Sequence, residues 1–280
     1  MVEHRPWLTF LTHALLILGC LVIAFPIYTT FVASTHSLDA ITSSFPFLPG
    51  RHLIENYHQA VTVGSGEVGA TVGRMMLNSL IMALGIAFGK IFISLLSAFA
   101  IVYFRFRFRM FFFWMIFITL MLPVEVRILP THKVMADLRL LDSYSGLIFP
   151  LIASATATFL FRQFFMTIPD ELCEAVRIDG GGPIRFFFDI LVPMSRTSIA
   201  ALFVILFIYG WNQYLWPLMV TNDEKYYTLL IGIKRMLDVG EGQADWQIIM
   251  ASTMLAMIPP VLVVIFMQKQ FVKGMTETEK

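Results

Sequence analysis

Seven stretches of this chain run without a single Asp, Glu, Lys or Arg: Pro6–Leu38, Met75–Gly89, Ile91–Phe104, Met110–Val124, Ser143–Phe161, Thr197–Asn222 and Gln247–Gln268. They cover just over half of the 280 residues, and Lys90 alone separates the second from the third. About 20 apolar residues cross a bilayer as a helix. Merged across Lys90, the stretches therefore predict six spans, at about 11–34, 76–104, 110–130, 144–166, 198–221 and 247–268. Only 14% of residues are charged and the mean hydropathy is +0.75, whereas soluble domains hold about a quarter charged residues. The expectation is an all-α polytopic membrane protein, with residues 1–280 forming one transmembrane domain bathed in lipid.

The hydrophilic remainder lies mainly at 36–74, 125–142, 162–196 and 223–246. Each is shorter than a catalytic domain, which starts near 50 residues. A net charge of +1 gives no basic surface for nucleic acid. Cys20 lies in the first apolar stretch and Cys173 in a polar loop. Neither has metal-ligand spacing, so no metal or cofactor is expected. Gly85 to Lys90 superficially resembles a phosphate loop, but the glycine spacing is one short and Ile91 stands where a hydroxyl must hold magnesium. If ATP drives this chain, another subunit hydrolyses it.

Orientation follows from span flanks. Arg105, Arg107 and Arg109 crowd one loop without an acid, and positive loops stay inside. With six spans, both termini are then cytoplasmic, 36–74 lies outside, and Arg162, Arg177, Arg185, Arg196, Lys269, Lys273 and Lys280 join Arg5 inside. The initial apolar stretch is too long for a cleaved signal peptide and reads as a retained helix.

The loop between the fourth and fifth spans begins Pro169-Asp170-Glu171 and reaches Val192-Pro193. Its acids favour a helix N-terminus. Leu172, Ala175 and Val176 read as one apolar face, with Glu171, Glu174 and Arg177 opposite. Gly180-Gly181-Gly182 ends this helix, and Pro183 suits the first turn of a second, Phe-rich one. The shape suits docking into a partner's groove.

This loop resembles the coupling-loop signature of the permease subunits of bacterial ABC importers: Glu-Ala-Ala, three residues, Gly, nine residues, Ile-x-Leu-Pro. Glu174, Ala175, Gly180, Ile190 and Pro193 fall on it with the nine-residue gap intact. Val176 replaces the second alanine, Gly181 stands where alanine often follows, and Val192 replaces leucine. Asn78-Ser79, Gly146-Leu147 and the run Trp211 to Pro217 are similar to permeases of the carbohydrate-uptake type. Phe113 to Ile128 and Ala153 to Thr167 are similar to permeases of sn-glycerol-3-phosphate importers. The resemblance implies a type I permease fold in the bacterial inner membrane and a pore shared with a homologous permease subunit. It also implies an ATP-binding subunit dimer inside, a periplasmic substrate-binding protein outside, and import of sn-glycerol-3-phosphate or its glycerophosphodiesters, with a neutral sugar as the alternative. Glu174, Ala175, Gly180, Ile190 and Pro193 would couple to the ATPase.

Several residues are expensive in a membrane. Lys90 lies about 22 Å along the helix from Arg105; it either snorkels to the boundary or faces the pore. Glu125 and Arg127 follow Arg109 too closely for a full span, so they lie near membrane depth, bracketed by Pro123 and Pro130. They are either a self-neutralising pair or part of a path where the Arg127 fork binds phosphate oxygens. Asn212, Gln213 and Tyr214, between Trp211 and Trp216, either bond neighbouring helices or line a hydrophilic path. Pro26, Pro217 and Pro259-Pro260 predict breaks, as simple kinks or along such a path. Gly85 and Gly89, one turn apart, predict close helix packing. A secondary transporter would show repeated spans and its own coupling carboxylates, and an intramembrane enzyme would carry a recognisable nucleophile or zinc motif; neither is visible.

Overall fold

The computed structural model describes residues 6–44, 46–64, 68–119, 124–238 and 244–276, and the side chains of all of these except 6, 124, 125 and 269–276. Among the described residues every regular element is helical. In chain order they are α1 (Pro6–Ser34), α2 (Leu38–Ser43), α3 (Leu53–Thr62), α4 (Val72–Tyr103), α5 (Arg109–Ile118) and α6 (Val124–Asp137). Next come α7 (Tyr144–Ile148), α8 (Ala155–Phe165), α9 (Asp170–Ile178), α10 (Pro183–Phe186), α11 (Val192–Met194) and α12 (Arg196–Trp211). Last are α13 (Leu215–Val220), α14 (Leu229–Leu237) and α15 (Trp246–Thr276).

Three helices are long and apolar enough to cross a membrane unbroken: Trp7–Ser34, Val72–Tyr103 and Trp246–Gln268. Two more candidates are bent pairs: Tyr144–Leu151 with Ala155–Phe165 at 49°, and Pro183–Met194 with Arg196–Trp211 at 71°. Helix α5 is the sixth, shorter apolar helix. All six apolar regions of the sequence thus contain helix.

Not every proline marks a bend. Pro26, Pro130 and the Pro259-Pro260 pair sit inside continuous helices, because one missing N–H costs a long helix a single turn's bond. The chain instead breaks where side chains offer the backbone other partners. Ser154 N-caps α8 by accepting from the Ala157 N–H at 3.2 Å, and its carbonyl accepts from Thr158 Oγ1 at 2.9 Å and Ser94 Oγ at 3.3 Å. The second bend falls at Ser195, two residues after Pro193, where Ser195 Oγ donates to Leu191 O at 2.6 Å, and a further break at Asn212–Tyr214 separates α12 from α13.

Two compact units emerge, each described by itself. The first holds the chain up to Arg74 together with Gly232–Ile258. Its α1 is predominantly apolar, and its most apolar stretch is not buried at all. Only the last turn is enclosed, with Val32, Ala33, Ser34 and Thr35 buried. Its final carbonyls are met from the α3 region: the His52 N–H donates to Thr35 O at 3.0 Å, and Asn56 Nδ2 donates to Ser34 O at 2.9 Å and His36 O at 2.8 Å.

The second unit holds Met75–Ile231 and the chain from Pro259. Its core joins Met82 and Ile86 of α4 to Met135, Leu147, Leu151, Trp216 and Val220. The expected close approach at the glycines is present: a Cβ on Gly85 would lie 2.6 Å from Ile148 Cδ1, and one on Gly89 2.5 Å from Ile152 Cγ2. At the start of α4 the buried Asn78 works as a clamp. Its Nδ2 donates to Lys225 O and Tyr227 O at 2.9 and 2.8 Å, and its Oδ1 accepts from Tyr144 Oη at 2.7 Å. Ser79 Oγ accepts from the Leu229 N–H at 2.9 Å, and Asp142 Oδ1 accepts from the N–H of Asn222 and Asp223.

Candidate functional site

The loop singled out by its motif folds as helix, turn and helix. Asp170 and Glu171 occupy the first turn of α9, where they complement the helix dipole. Leu172, Cys173 and Val176 are half-buried, while Glu171, Glu174, Arg177 and Ile178 are exposed, Ile178 at 86%. Ala175, expected on the inward face, is exposed as well. At 100° per residue the arc through 172, 176 and 173 excludes 175, so Cys173 takes the place the pattern had suggested for Ala175.

A Schellman motif ends α9. The Gly181 N–H donates to Val176 O at 2.8 Å and the Gly180 N–H to Arg177 O at 3.1 Å, with Gly180 in the left-handed region at φ 74°. Nothing lies within 4 Å of a Cβ built on Gly180, so the demand there is backbone conformation alone. At Gly181 it is space, because a Cβ would lie 2.6 Å from Val176 Cγ1 and 2.9 Å from Val176 O.

Pro183 opens α10, and residues Phe187–Leu191 widen into a π-turn. Pro193 has no N–H for the Asp189 carbonyl, and the Val192 N–H reaches back to Phe187 O, so the helix passes the proline with a wider turn. Ile190 and Pro193 are both half-buried. The segment is held to the end of α4 by aromatic contacts: Tyr103 meets Phe186 edge-on at 5.0 Å, and Phe99 lies 5.0 Å from Phe187. Tyr103 Oη donates to Phe165 O at 3.2 Å. A cavity of about 540 Å³ separates α9 from α4, lined by Tyr103, Arg105, Asp170, Cys173, Glu174 and Arg177 among others. The exposed face of α9 stands on this partly hollow base.

A second constellation lies in the helix bundle of the same unit. Lys90 does not snorkel: it is 8% exposed, and its Nζ sits 3.8 Å from the centroid of the Tyr209 ring. A desolvated contact of that kind contributes about 2 kcal/mol. Gln213, one turn beyond, donates from Nε2 to Tyr209 O at 3.2 Å. Arg127, on α6, is exposed. It lines a cleft of about 80 Å³ with Thr131, Pro150, Leu151 and Trp216. Asn212 is exposed and Tyr214 half-exposed at the break between α12 and α13.

Lys90 and Gln213 therefore meet at a residue the sequence reading had passed over, Tyr209, which packs against the Leu151 and Trp216 cluster that borders the Arg127 cleft. Its four-residue spacing to Gln213 was the one available signal. Glu125 falls in the first turn of α6, but its side chain, like Pro123, Arg5 and Lys280, lies outside the described residues, so its pairing with Arg127 is not addressed. The backbone at 124–137 is helical through Pro130 rather than irregular.

Residues 90–277 match the family model described as binding-protein-dependent transport system inner membrane component. Full-length relatives include the sn-glycerol-3-phosphate transport system permease protein UgpE of Agrobacterium fabrum, 61% identical over 282 residues, and that of Escherichia coli O157:H7, 58% identical over 281 residues. Each comparison covers 100% of both chains. Among solved structures, a bacterial ABC transporter that imports the acidic polysaccharide alginate aligns over 97% of this chain and 99% of its own, with a TM-score of 0.84 at 20% identity. The fold is that of an ABC transporter permease, a polytopic helical subunit that works in a complex with others. On sequence along its whole length and on fold alike, this chain belongs to the inner-membrane components of binding-protein-dependent transport systems.

Proposed function

We propose that this chain is a permease subunit of an ATP-driven importer for sn-glycerol-3-phosphate and its glycerophosphodiesters. The reading is carried by full-length identity of about 60% to permeases named for that substrate. The chain forms its pore together with a homologous permease subunit, receives substrate from a periplasmic binding protein, and is driven by a separate dimer of ATP-hydrolysing subunits. Both termini are cytoplasmic, with 105–109, 162–196 and 269–280 inside, 36–74 outside, and the six spans bounded as the uncharged stretches suggest.

Coupling runs through α9. Its exposed face offers Glu171, Glu174 and Arg177 for ionic contact and Ala175 and Ile178 for apolar contact. The Gly180 turn and the π-turn ending at Pro193 join that face to α12, so force on α9 is passed to a spanning helix. On the substrate side, Lys90 is buried and Arg127, on α6, is exposed, and two cations in one helix bundle repel one another. A phosphate ester of up to two negative charges relieves that repulsion, and the guanidinium fork matches its oxygens. Glu125, Asn212, Gln213 and Tyr214 complete the polar side of the path.

The test is uptake by the reconstituted complex with Arg127→Gln, using ATPase activity without substrate as the assembly control. Loss of phosphate-ester uptake with intact ATPase supports the assignment. Unchanged uptake removes Arg127 from the path, and preference of the native complex for neutral sugars over phosphate esters overturns the substrate.

A further inference from the structure

The segment between α1 and α3 folds back along α1 instead of leading away from it. Tyr28 Oη donates to Phe47 O at 2.7 Å, although Tyr28 lies six residues before the end of α1, about 9 Å down the helix axis. Side chains on a helix lean toward its N-terminus, so the Tyr28 hydroxyl reaches lower still. By contrast His52, four residues after Leu48, is already level with the helix end, where its N–H meets Thr35 O.

The depth of that point follows from α1 itself. From Trp7 to Tyr28 is about 32 Å of helix, against about 30 Å of hydrocarbon, and the apolar surface between them is exposed throughout. Trp and Tyr collect at the two boundaries of a membrane, so Trp7 and Tyr28 mark them here. The Phe47 carbonyl is therefore at the boundary, and the side chains beside it, Phe47 and Leu48, are exposed, Leu48 at 75%. From Ser37 to Gly50 there is one charge, Asp39, and the next, Arg51, stands where the chain climbs back.

We propose that residues 38–48 are an interfacial anchor: the segment lies in the headgroup boundary of the leaflet at the C-terminal end of α1, with Phe47 and Leu48 inserted among the acyl chains. Lipid is the occupant because the Phe47 carbonyl is held at the depth of Tyr28 and the segment beside it carries a single charge, Asp39, with Phe47 and Leu48 exposed. The anchor fixes the height of α3 over the helix end that Asn56 and His52 cap.

Spin labels at Phe47→Cys, Leu48→Cys and Ile54→Cys test this, in a background lacking Cys20 and Cys173, with the complete transporter in lipid nanodiscs. Ile54 is the comparator, being equally apolar and 80% exposed but beyond the helix end. The expected result is an oxygen-to-nickel accessibility ratio several-fold higher at 47 and 48 than at 54. Nickel access at 47 and 48 equal to that at 54 places the segment in water and overturns the proposal. Exclusion of both reagents there, which means a protein partner covers it, overturns it equally.

Discussion

Replacing Gly181 by alanine puts a methyl group where the structure has no room for one. The new Cβ would lie 2.6 Å from Val176 Cγ1, 2.9 Å from Val176 O and 3.2 Å from Arg185 Cδ. Overpacking of this kind costs about 1–3 kcal/mol. At roughly 2–4 °C per kcal/mol for a chain of this size, the melting temperature of the purified permease falls by ~2–12 °C. The shortest contact is with a side chain that is itself a departure from the family's pattern, which carries alanine at 176 and often alanine at 181. Val176→Ala removes that contact and leaves the carbonyl at 2.9 Å, so the double variant recovers only part of the loss, with a coupling of about 1 kcal/mol within the usual 0.5–3. Val176→Ala alone, at a half-buried site, costs about 1 kcal/mol. The cycle is read from thermal melts by tryptophan fluorescence in detergent, with ATP-driven uptake measured in parallel. An additive double variant, or a Gly181→Ala protein that melts with the parent, refutes the idea that the two departures compensate one another.

Gly180→Val is expected to impair coupling for a different reason: a side chain at φ 74° costs about 1–2 kcal/mol of backbone strain, so Gly180→Asn, which tolerates that region, should retain more uptake. Glu174→Lys should leave the protein in the membrane while lowering substrate-stimulated ATP hydrolysis at least tenfold, and normal hydrolysis would take Glu174 out of the docking face. Asn78→Ala removes two donated bonds and the one accepted from the Tyr144 hydroxyl; at about 1 kcal/mol per bond, a thermal melt should show a loss of ~2–3 kcal/mol. Topology is checked with an impermeant thiol reagent on Arg51→Cys and Ile178→Cys, both exposed: labelling of 51 alone from outside is expected, and labelling of 178 alone inverts the model.

The helices were legible because a bilayer admits few alternatives; apolar length alone marks α1, α4 and α15. The α9 turn was legible because Gly180 at the end of an amphipathic segment has a specific backbone use. Pair partners were not. Nothing local to Lys90 points to Tyr209, since the two meet only when α4 and α12 pack, and the snorkelling alternative was equally compatible with the chain. Proline was a partial guide: Pro26, Pro130 and Pro259-Pro260 lie inside continuous helices, whereas the bends at Ser154 and Ser195 fall where a serine or a neighbour such as Ser94 gives the backbone another partner. Ala175 was misassigned because one amphipathic turn admits two neighbouring inward arcs, and Cys173 decided between them only in the folded state.

The Lys90–Tyr209 contact also sets a timetable for biosynthesis. Tyr209 is made about 120 residues after Lys90, a delay of ~6–24 s at ordinary elongation rates. During that interval α4 holds an ammonium at membrane depth with no aromatic ring to receive it, at a cost of up to ~2.5–3.5 kcal/mol on insertion scales. Its flanking apolar residues, with a mean hydropathy of 2.1, offset this. Helix α1 faces no such wait, since it needs no later helix to meet a charge. The nascent chain therefore completes α1 at once and leaves the charge on α4 unmet until α12 arrives.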